Sequence, residues 1–453
     1  MKQHDLVVIG AGPSGMAMAT ECARSGMSVL LLDEQPEPGG QIYRAVTKSR
    51  LGNSDIFTND YWRGATLASE LYCDNLTHVK GARVWYAQPP ADVWFSVDGR
   101  SAKASAKNLA IAVGARERPV AIPGWTLPGV FSVGAAQVLL KSAAVAADGV
   151  VLAGSGPLLY LVAAQYVSAG KKIKALLDTT PSRNYQAAVK MLPRALIQGQ
   201  FYKGIKLLAR IRLAGIPVHN GVEQIQVIGK DAVQAISWNQ KGTVHKIECD
   251  AVLLHEGLVP NVEFAVALGC DTSWSPERFA WEINVDESGE TSLQNVYAVG
   301  DCARIVGADV SEILGRIAGL SLVHKFKGTD SSKRVGELKR RLKRHMQLRS
   351  FLDRLYAPGD ENILRRTPDT VVCRCENVTV GTLEDLIEKS QGNLNFVKSL
   401  TRCGMGPCQG RMCSHSVAAL GRTHQINFDS TSHQRLPLAP ITIGELAALE
   451  DSE

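Results

Sequence analysis

Asp5-Leu-Val-Val-Ile9-Gly10-Ala-Gly-Pro-Ser-Gly15 is a short apolar run that stops on a glycine turn. Residues 5–9 carry a buried-strand signal, a helical pattern continues from the turn to about Ser25, and a second apolar run ends at Asp33. The result is a βαβ unit with its G-x-G-x-x-G turn between strand and helix, the context that gives an otherwise common glycine pattern its meaning. Gly10 permits the tight turn, Gly12 lets the backbone approach a pyrophosphate, and Gly15 lets helix and strand pack closely. Pro13 and Ser14 open the helix, whose N-terminal amides favour phosphate charge. Asp33 lies 23 residues after Gly10, the position that binds an adenosine ribose. The competing reading is a helix start without a ligand.

Working outward, a similar unit recurs from Val150 to Asp178 with Gly154-Ser-Gly156 at its turn, so the body reads as a tandem dinucleotide fold. This second copy is the poorer match. Leu159 stands where the third glycine would allow close approach, and the residue 23 after Gly154 is Leu177, with Asp178 one place on. Use of NAD(P) is therefore disfavoured, and the second fold reads as one that has lost or changed its ligand. Between the copies, Asn108 to Gly114 is a strand running into a turn, and Pro119, Pro123, Gly124, Pro128 and Gly129 punctuate a crossover. Later, Ala251–Leu254 and Val296–Val299 are two more buried strands, the latter closing on Gly300-Asp301. A carboxylate at that strand tip can serve a cofactor hydroxyl or an ordinary helix N-cap. His255 and Glu256 read as loop residues after a strand, and Cys302 as a packing residue.

The 453 residues need more than one core, and 45% apolar residues suffice to fill them. The net charge of +6 is concentrated between Lys333 and Arg366, where eleven basic residues face four acidic ones. Leu338, Leu342, Met346 and Leu352 interleave with that charge as an amphipathic linker helix, so the run reads as a solvated face and not as a nucleic-acid site. No apolar run approaches the eighteen or so residues of a spanning helix. Ten cysteines, four of them clustered, fit a cytoplasmic protein that is at most peripheral to the inner membrane.

Cys373-Arg-Cys375 and Cys403-Gly-Met-Gly-Pro-Cys408 bring two close thiol pairs together across 27 intervening residues. Soft thiolates select zinc or iron–sulfur. Zinc knuckles use two-residue spacers, whereas one- and four-residue spacers with glycines that expose amides point to a [2Fe–2S] cluster, with zinc and buried free thiols as alternatives. Cys413 reads as a spare thiol on the following helix. No C-x-x-C or C-x-x-x-x-C occurs in the first 370 residues, which argues against disulfide reduction.

Nearly end to end, the chain resembles the α (A) subunit of the heteromeric opine oxidase, hydroxyproline dehydrogenase and hydrogen cyanide synthase group. The resemblance is carried by Gly10–Gly15, by Asp33-Glu-Gln with Gly39-Gly-Gln-Ile-Tyr-Arg44, by Val113–Pro119, by Gly257-Leu-Val-Pro-Asn261, by Gly300-Asp-Cys302, and by a cysteine segment similar to bacterioferritin-associated ferredoxin. It implies an α/β, two-Rossmann, glutathione-reductase-like flavoprotein body with a small C-terminal α+β BFD-like [2Fe–2S] domain. The expected division is 1–120 with 285–330 for FAD, 121–284 for the second fold, 331–368 for the linker, 369–425 for the cluster domain and 426–453 for the tail. FAD would lie on Gly10, Gly12, Pro13, Ser14, Gly15, Asp33, Glu34, Gly40, Gln41, Gly114, Gly300 and Asp301, and the cluster on Cys373, Cys375, Cys403 and Cys408. A partner β subunit of the amino-acid-oxidase kind would hold its own FAD and oxidise a secondary amine, with an FMN often near the subunit contact and a small γ subunit in some complexes. Electrons would then pass through this chain to a quinone or other carrier, so no catalytic base is expected here. The alternatives are an NAD(P)H-dependent flavin iron–sulfur reductase acting alone and a non-catalytic iron–sulfur scaffold.

Overall fold

The computed structural model describes residues 3–52, 55–196, 198–426, 428 and 434–449. Its first sheet is built around the opening strand β1 (His4–Ile9), which runs parallel to β2 (Val29–Asp33) on one side. β2 in turn carries β3 (Leu76–Lys80) in parallel. β4 (Arg83–Gln88) and β5 (Asp92–Val97) form an antiparallel ribbon with the first half of the long β6 (Arg100–Ile111), whose second half pairs with β1. The strand Val296–Ala298 closes the far edge of β6, so the chain returns to this sheet after the second fold.

Leu6, Val7, Val8 and Leu31 are fully buried because helices cover one face of the parallel strands and the rest of the fold covers the other. The covering helix Pro13–Arg24 is buried along nearly its whole length, and it is set against the helix Ala308–Lys327 by small residues. A Cβ at Gly315 would meet the Ser14 carbonyl oxygen at 2.2 Å, and one at Gly319 would meet the Glu21 Cβ at 2.9 Å. Ser14 Oγ donates to the Val299 carbonyl at 3.0 Å, locking the first helix to the last strand. Buried Glu21 accepts from Arg316 and Arg334, which ties both helices to the long helix Ser332–Leu355.

The second sheet is all parallel, in the order Val218–Asn220, Ile173–Asp178, Val150–Ser155, Val252–Glu256, Val130–Ser132. An antiparallel three-stranded sheet (Glu223–Gly229, Val233–Gln240, Thr243–Glu248) flanks it. Val262, Phe264, Ala265 and Ile283 belong to the core around β1 and β6, so the chain re-enters the first core well before residue 285. The reason is local: Leu258–Pro260 pairs with Ala115–Glu117 and carries the following helix Glu263–Leu268 across.

The C-terminal segment has a two-stranded ribbon, Val371–Cys373 with Val378–Thr379, and the helices Val380–Lys389, Leu394–Thr401 and Ser414–Thr423. It shares one core with the second fold: Val151, Leu177 and Val252 pack in the same cluster as Val372, Leu383 and Leu420. Trp125 Nε1 donates to the Val371 carbonyl at 2.8 Å across that boundary. The tail straps the cysteine segment to the first fold, with Leu438 N donating to Trp85 O at 2.7 Å while Arg411 donates to Leu438 O at 3.1 Å. Among the described residues, no helix is long and apolar enough to cross a membrane.

The glycine contact gives a paired expectation. Gly315→Ala forces the two helices apart and lowers stability by about 1–3 kcal/mol, whereas Gly204→Ala, in the open face of the helix Gly199–Leu213, raises it by roughly 0.5–1 kcal/mol. Thermal or urea denaturation checks both.

Candidate functional site

The first glycine turn is built for close approach from outside and close packing within. Gly10 has φ +105°, and a Cβ there would strike the Ala112 carbonyl oxygen at 2.5 Å; a Cβ on Gly15 would strike Gly10 O at 1.9 Å. By contrast nothing lies within 4 Å of a Cβ at Gly12, so the backbone there faces open space at the start of the helix. These are the features a pyrophosphate needs. Asp33, nearly buried, accepts from the amide of Ala11 and from Gln35 N at 2.7 Å, which fixes the turn against the strand end. Burial pushes its carboxyl upward, against the two amide bonds that favour the charge. Glu34 is exposed beside it. Gly39 N donates to Ala11 O at 2.8 Å, and Gly40, at φ +61°, brings its α-carbon face against Gly12.

Asp301 sits in the short turn Gly300–Cys302 that ends the strand Val296–Ala298. Its Oδ1 accepts from Val306 N at 2.7 Å and Gly307 N at 2.9 Å, so it organises the entry to the helix Ala308–Lys327. A Cβ at Gly300 would meet Ser14 Oγ at 2.6 Å, which places Asp301 beside the first turn although 286 positions separate it from Gly15. Gly114 completes the same edge: nothing lies within 4 Å of a Cβ there, and its carbonyl accepts from Asn261 N at 3.1 Å. Cys302 is fully buried, with burial pushing its thiol up to about 12, as a packing residue requires.

Lys141, on the helix Val133–Ala143, was not legible as a site residue. Its Nζ donates to the carbonyls of Gln41 (3.2 Å) and Ile42 (2.8 Å) and to Gln137 Oε1 (2.9 Å), holding the Gly39–Gln41 loop against the first turn through neutral acceptors. Burial, reinforced by nearby Arg44, drives its pKa down to about 7.

At the second turn the strand ends are filled from within. The Asp178 carboxylate, fully buried, accepts from the hydroxyls of Tyr160 and Tyr185 and from Thr180 N. Leu159 is buried at the third-glycine position, and a Cβ on Gly156 would lie 3.2 Å from the His255 Nε2. Asn362 Nδ2 donates to Thr179 O at 3.1 Å, so the linker crosses the same strand ends. His255 and Glu256 are not loop residues: they are the buried last two residues of the strand Val252–Glu256, which continues in register beside Gly154 and Ser155 past the apolar run that marked it. His255 Nδ1 lies 2.6 Å from Glu117 Oε1, and Glu117 Oε2 accepts from Gly134 N at 2.6 Å. Burial pushes Glu256 up to about 8.

The cysteines form two sets. The Sγ atoms of Cys373, Cys403 and Cys413 lie within 4.8 Å of one another in a buried group, so Cys413, expected to be a spare, is part of the thiol centre. The glycine turn at Gly410 folds the chain back and delivers it there, with Cys413 N donating to Gly410 O at 3.2 Å. Cys375 is exposed and hydrogen-bonded to the thiol of Cys408. Hydrogen bonds from Cys403 and Cys413, helped by the Gly404 and Glu376 amides, hold Cys373 far below an ordinary thiol, as thiolate. A Cβ on Gly406 would collide with Cys375 Cβ at 2.3 Å, so the loop Cys403–Cys408 can wrap the first pair only because glycine stands there. Five sulfurs with backbone amides turned toward them suit an iron–sulfur cluster, which needs four thiolates.

Residues 4–324 match the pyridine nucleotide-disulphide oxidoreductase family, and residues 371–420 match the BFD-like [2Fe-2S] binding domain. The chain is 37% identical to the α (A) subunit of opine oxidase from Agrobacterium tumefaciens (strain Ach5), over 98% of this chain and 92% of that protein. The chain belongs to the family of opine oxidase α (A) subunits. It is an FAD-dependent oxidoreductase subunit with a [2Fe–2S] domain behind its flavoprotein body. Hydrogen cyanide synthase subunit HcnB of Pseudomonas aeruginosa is 28% identical over 90% of each chain. The crystal structure of L-proline dehydrogenase from P. horikoshii shares the fold, with a TM-score of 0.70 at 19% identity, covering 98% of this chain and 79% of that one.

Lys141 sets a pH dependence. An unfolded lysine titrates near 10.4, so between about pH 7 and pH 10 the unfolded chain holds a proton that the folded chain has released, and stability rises with pH across that window. In Lys141→Met that slope flattens. Melting temperatures measured across the window check it; an unchanged slope contradicts it.

Proposed function

We propose that this chain is the electron-transferring α subunit of a heteromeric dehydrogenase that oxidises a secondary amine or amino-acid derivative, an opine, hydroxyproline or a similar compound, on a partner β subunit of the amino-acid-oxidase type. The observation that carries the reading is the union, in one continuously packed chain, of an open FAD-type turn and a thiol centre seated on the second fold. When bound, FAD and the cluster supply the change from two-electron to one-electron transfer that lets electrons pass on to a quinone or other carrier.

In this reading Gly10, Gly12, Pro13, Ser14 and Gly15 hold the pyrophosphate through backbone amides. Asp33 shapes the turn and, with exposed Glu34, faces the ribose. Gly40, Gln41 and Gly114 border the flavin edge, and Asp301, set beside Gly300, accepts from the ribityl chain. Cys373 and Cys375 anchor the cluster with two of Cys403, Cys408 and Cys413; the spacing favours the first two, and the burial of Cys413 makes it the competitor.

The closed second turn supports a chain that takes electrons from a partner protein and not from NAD(P)H: Asp178 is already satisfied by two tyrosines and the linker lies across the strand ends. Anaerobic NADH therefore leaves the flavin of the isolated chain oxidised, and the isolated chain turns over no opine, proline or hydroxyproline until a β subunit is added. Bleaching by NADH, or amine oxidation by the chain alone, overturns the reading. For the cluster, Cys373→Ser loses most of its iron, and one, and only one, of Cys403→Ser, Cys408→Ser and Cys413→Ser keeps a full complement. Iron analysis and visible absorption of the purified variants check this.

A further inference from the structure

Between the ribbon Thr272–Ser275/Ala280–Ile283 and the helix Ser414–Thr423 lies a cavity of about 140 Å³ that neither the flavin edge nor the thiol centre uses. Trp274, Trp281 and Phe428 give it aromatic walls, and Val266 and Ala418 face it from the flavoprotein body and from the cysteine segment. The two indoles meet edge to face with centroids 5.4 Å apart, so the aromatic lining is held in place by its own packing.

Two nitrogen donors enter this apolar space. Arg116 lines it, with its terminal nitrogens spent on Asn261 and Glu263 while its buried Nε has no partner among the described residues. His415 also lines it, and its ring makes a long 3.4 Å contact with the Ser414 hydroxyl. Few polar groups converging in an aromatic cavity describe a ligand site, and the volume is below the roughly 300–1,000 Å³ of drug-sized pockets, enough for a single ring and not for a dinucleotide.

The cavity touches both ends of the proposed electron path. Gly410 forms part of its wall, and the Gly410 carbonyl lies 3.9 Å from Cys413 Sγ in the thiol centre. On the other side Arg116 is bonded to Asn261 at 2.8 Å, and Asn261 Nδ2 donates to Val113 O at 2.9 Å, beside Gly114 on the flavin edge.

We propose that this cavity binds the ring of a benzoquinone-class electron acceptor, with Trp274 and Trp281 against the ring and the Arg116 and His415 N–H groups toward its oxygens. The proposal depends on the electron-relay reading of the chain. Reduction is balanced when the quinone takes two electrons, delivered singly through the neighbouring thiol centre from the oxidised amine, and two protons from solvent, and leaves as the quinol.

The test uses the full cofactor-loaded chain and 2,3-dimethoxy-5-methyl-1,4-benzoquinone. Tryptophan fluorescence is quenched saturably in the unsubstituted chain, and the cavity-filling variants Ala418→Leu and Val266→Phe, one from each wall, weaken the titrated affinity by about tenfold or more. Iron content, flavin content and melting temperature of each variant establish that it is folded, and a variant that fails them is replaced by the one from the opposite wall. Quenching that never saturates, or the same affinity in a folded filled variant as in the unsubstituted chain, overturns the proposal. Amine-dependent ferricyanide reduction by the complex with its partner is measured separately: its absence defeats the relay reading, whereas its presence with unchanged quinone affinity in the filled variants defeats only the quinone site.

Discussion

The close contact between the helix Pro13–Arg24 and the helix Ala308–Lys327 holds the first fold in the form a nucleotide needs. These segments are some 300 residues apart, yet Gly315 admits the Ser14 carbonyl at a distance that any side chain would forbid. Because Ser14 also bonds the Val299 carbonyl, the turn at Gly10–Gly15 and the acid at Asp301 are fixed relative to one another by packing and not by chain proximity. Buried Glu21, held by Arg316 and Arg334, extends the clamp to the linker helix, so the geometry of the FAD edge and the start of the path to the thiol centre belong to one rigid arrangement.

A second constraint concerns where the small domain sits. Its apolar residues do not form a separate globule; they complete the core beneath the second parallel sheet. A dinucleotide fold that keeps its sheet while closing its own ligand crevice has become a platform. Tyr160 and Tyr185 satisfy Asp178, buried Arg118 donates to the carbonyls of Glu256, Phe279 and Arg278, and the linker residues Ile363 and Leu364 pack at the sheet edge beside Ala121. The tail then ties the cysteine segment back to the first fold through Leu438 and through Arg83 with Glu445. Relative motion of the two cofactor regions is restrained from both sides.

The features legible in the sequence were those whose chemistry is written in short spacings. The G-x-G-x-x-G turn, the acid at Asp33, the strand ending on Gly300-Asp301 and the paired cysteines each lie within a few residues of the signal that reveals them. What escaped depends on contacts between distant positions. Lys141 looks like an ordinary helical lysine until its bonds to Gln41 and Ile42, about a hundred positions away, are seen. Cys413 looked spare because a spacing rule counts pairs, whereas the turn at Gly410 folds a third downstream thiol into the group. His255 and Glu256 were misplaced because polar residues seemed to end an apolar strand, when tertiary packing buries them at its tip.

The central claim is that one chain holds both a two-electron and a one-electron carrier. An anaerobic dithionite titration of the isolated, cofactor-replete chain, followed by absorbance and electron paramagnetic resonance, tests it directly. The account predicts uptake of about three electrons per chain, two bleaching the flavin and one producing the signal of a reduced [2Fe–2S] cluster. Uptake of only two electrons with no paramagnetic iron signal would contradict it.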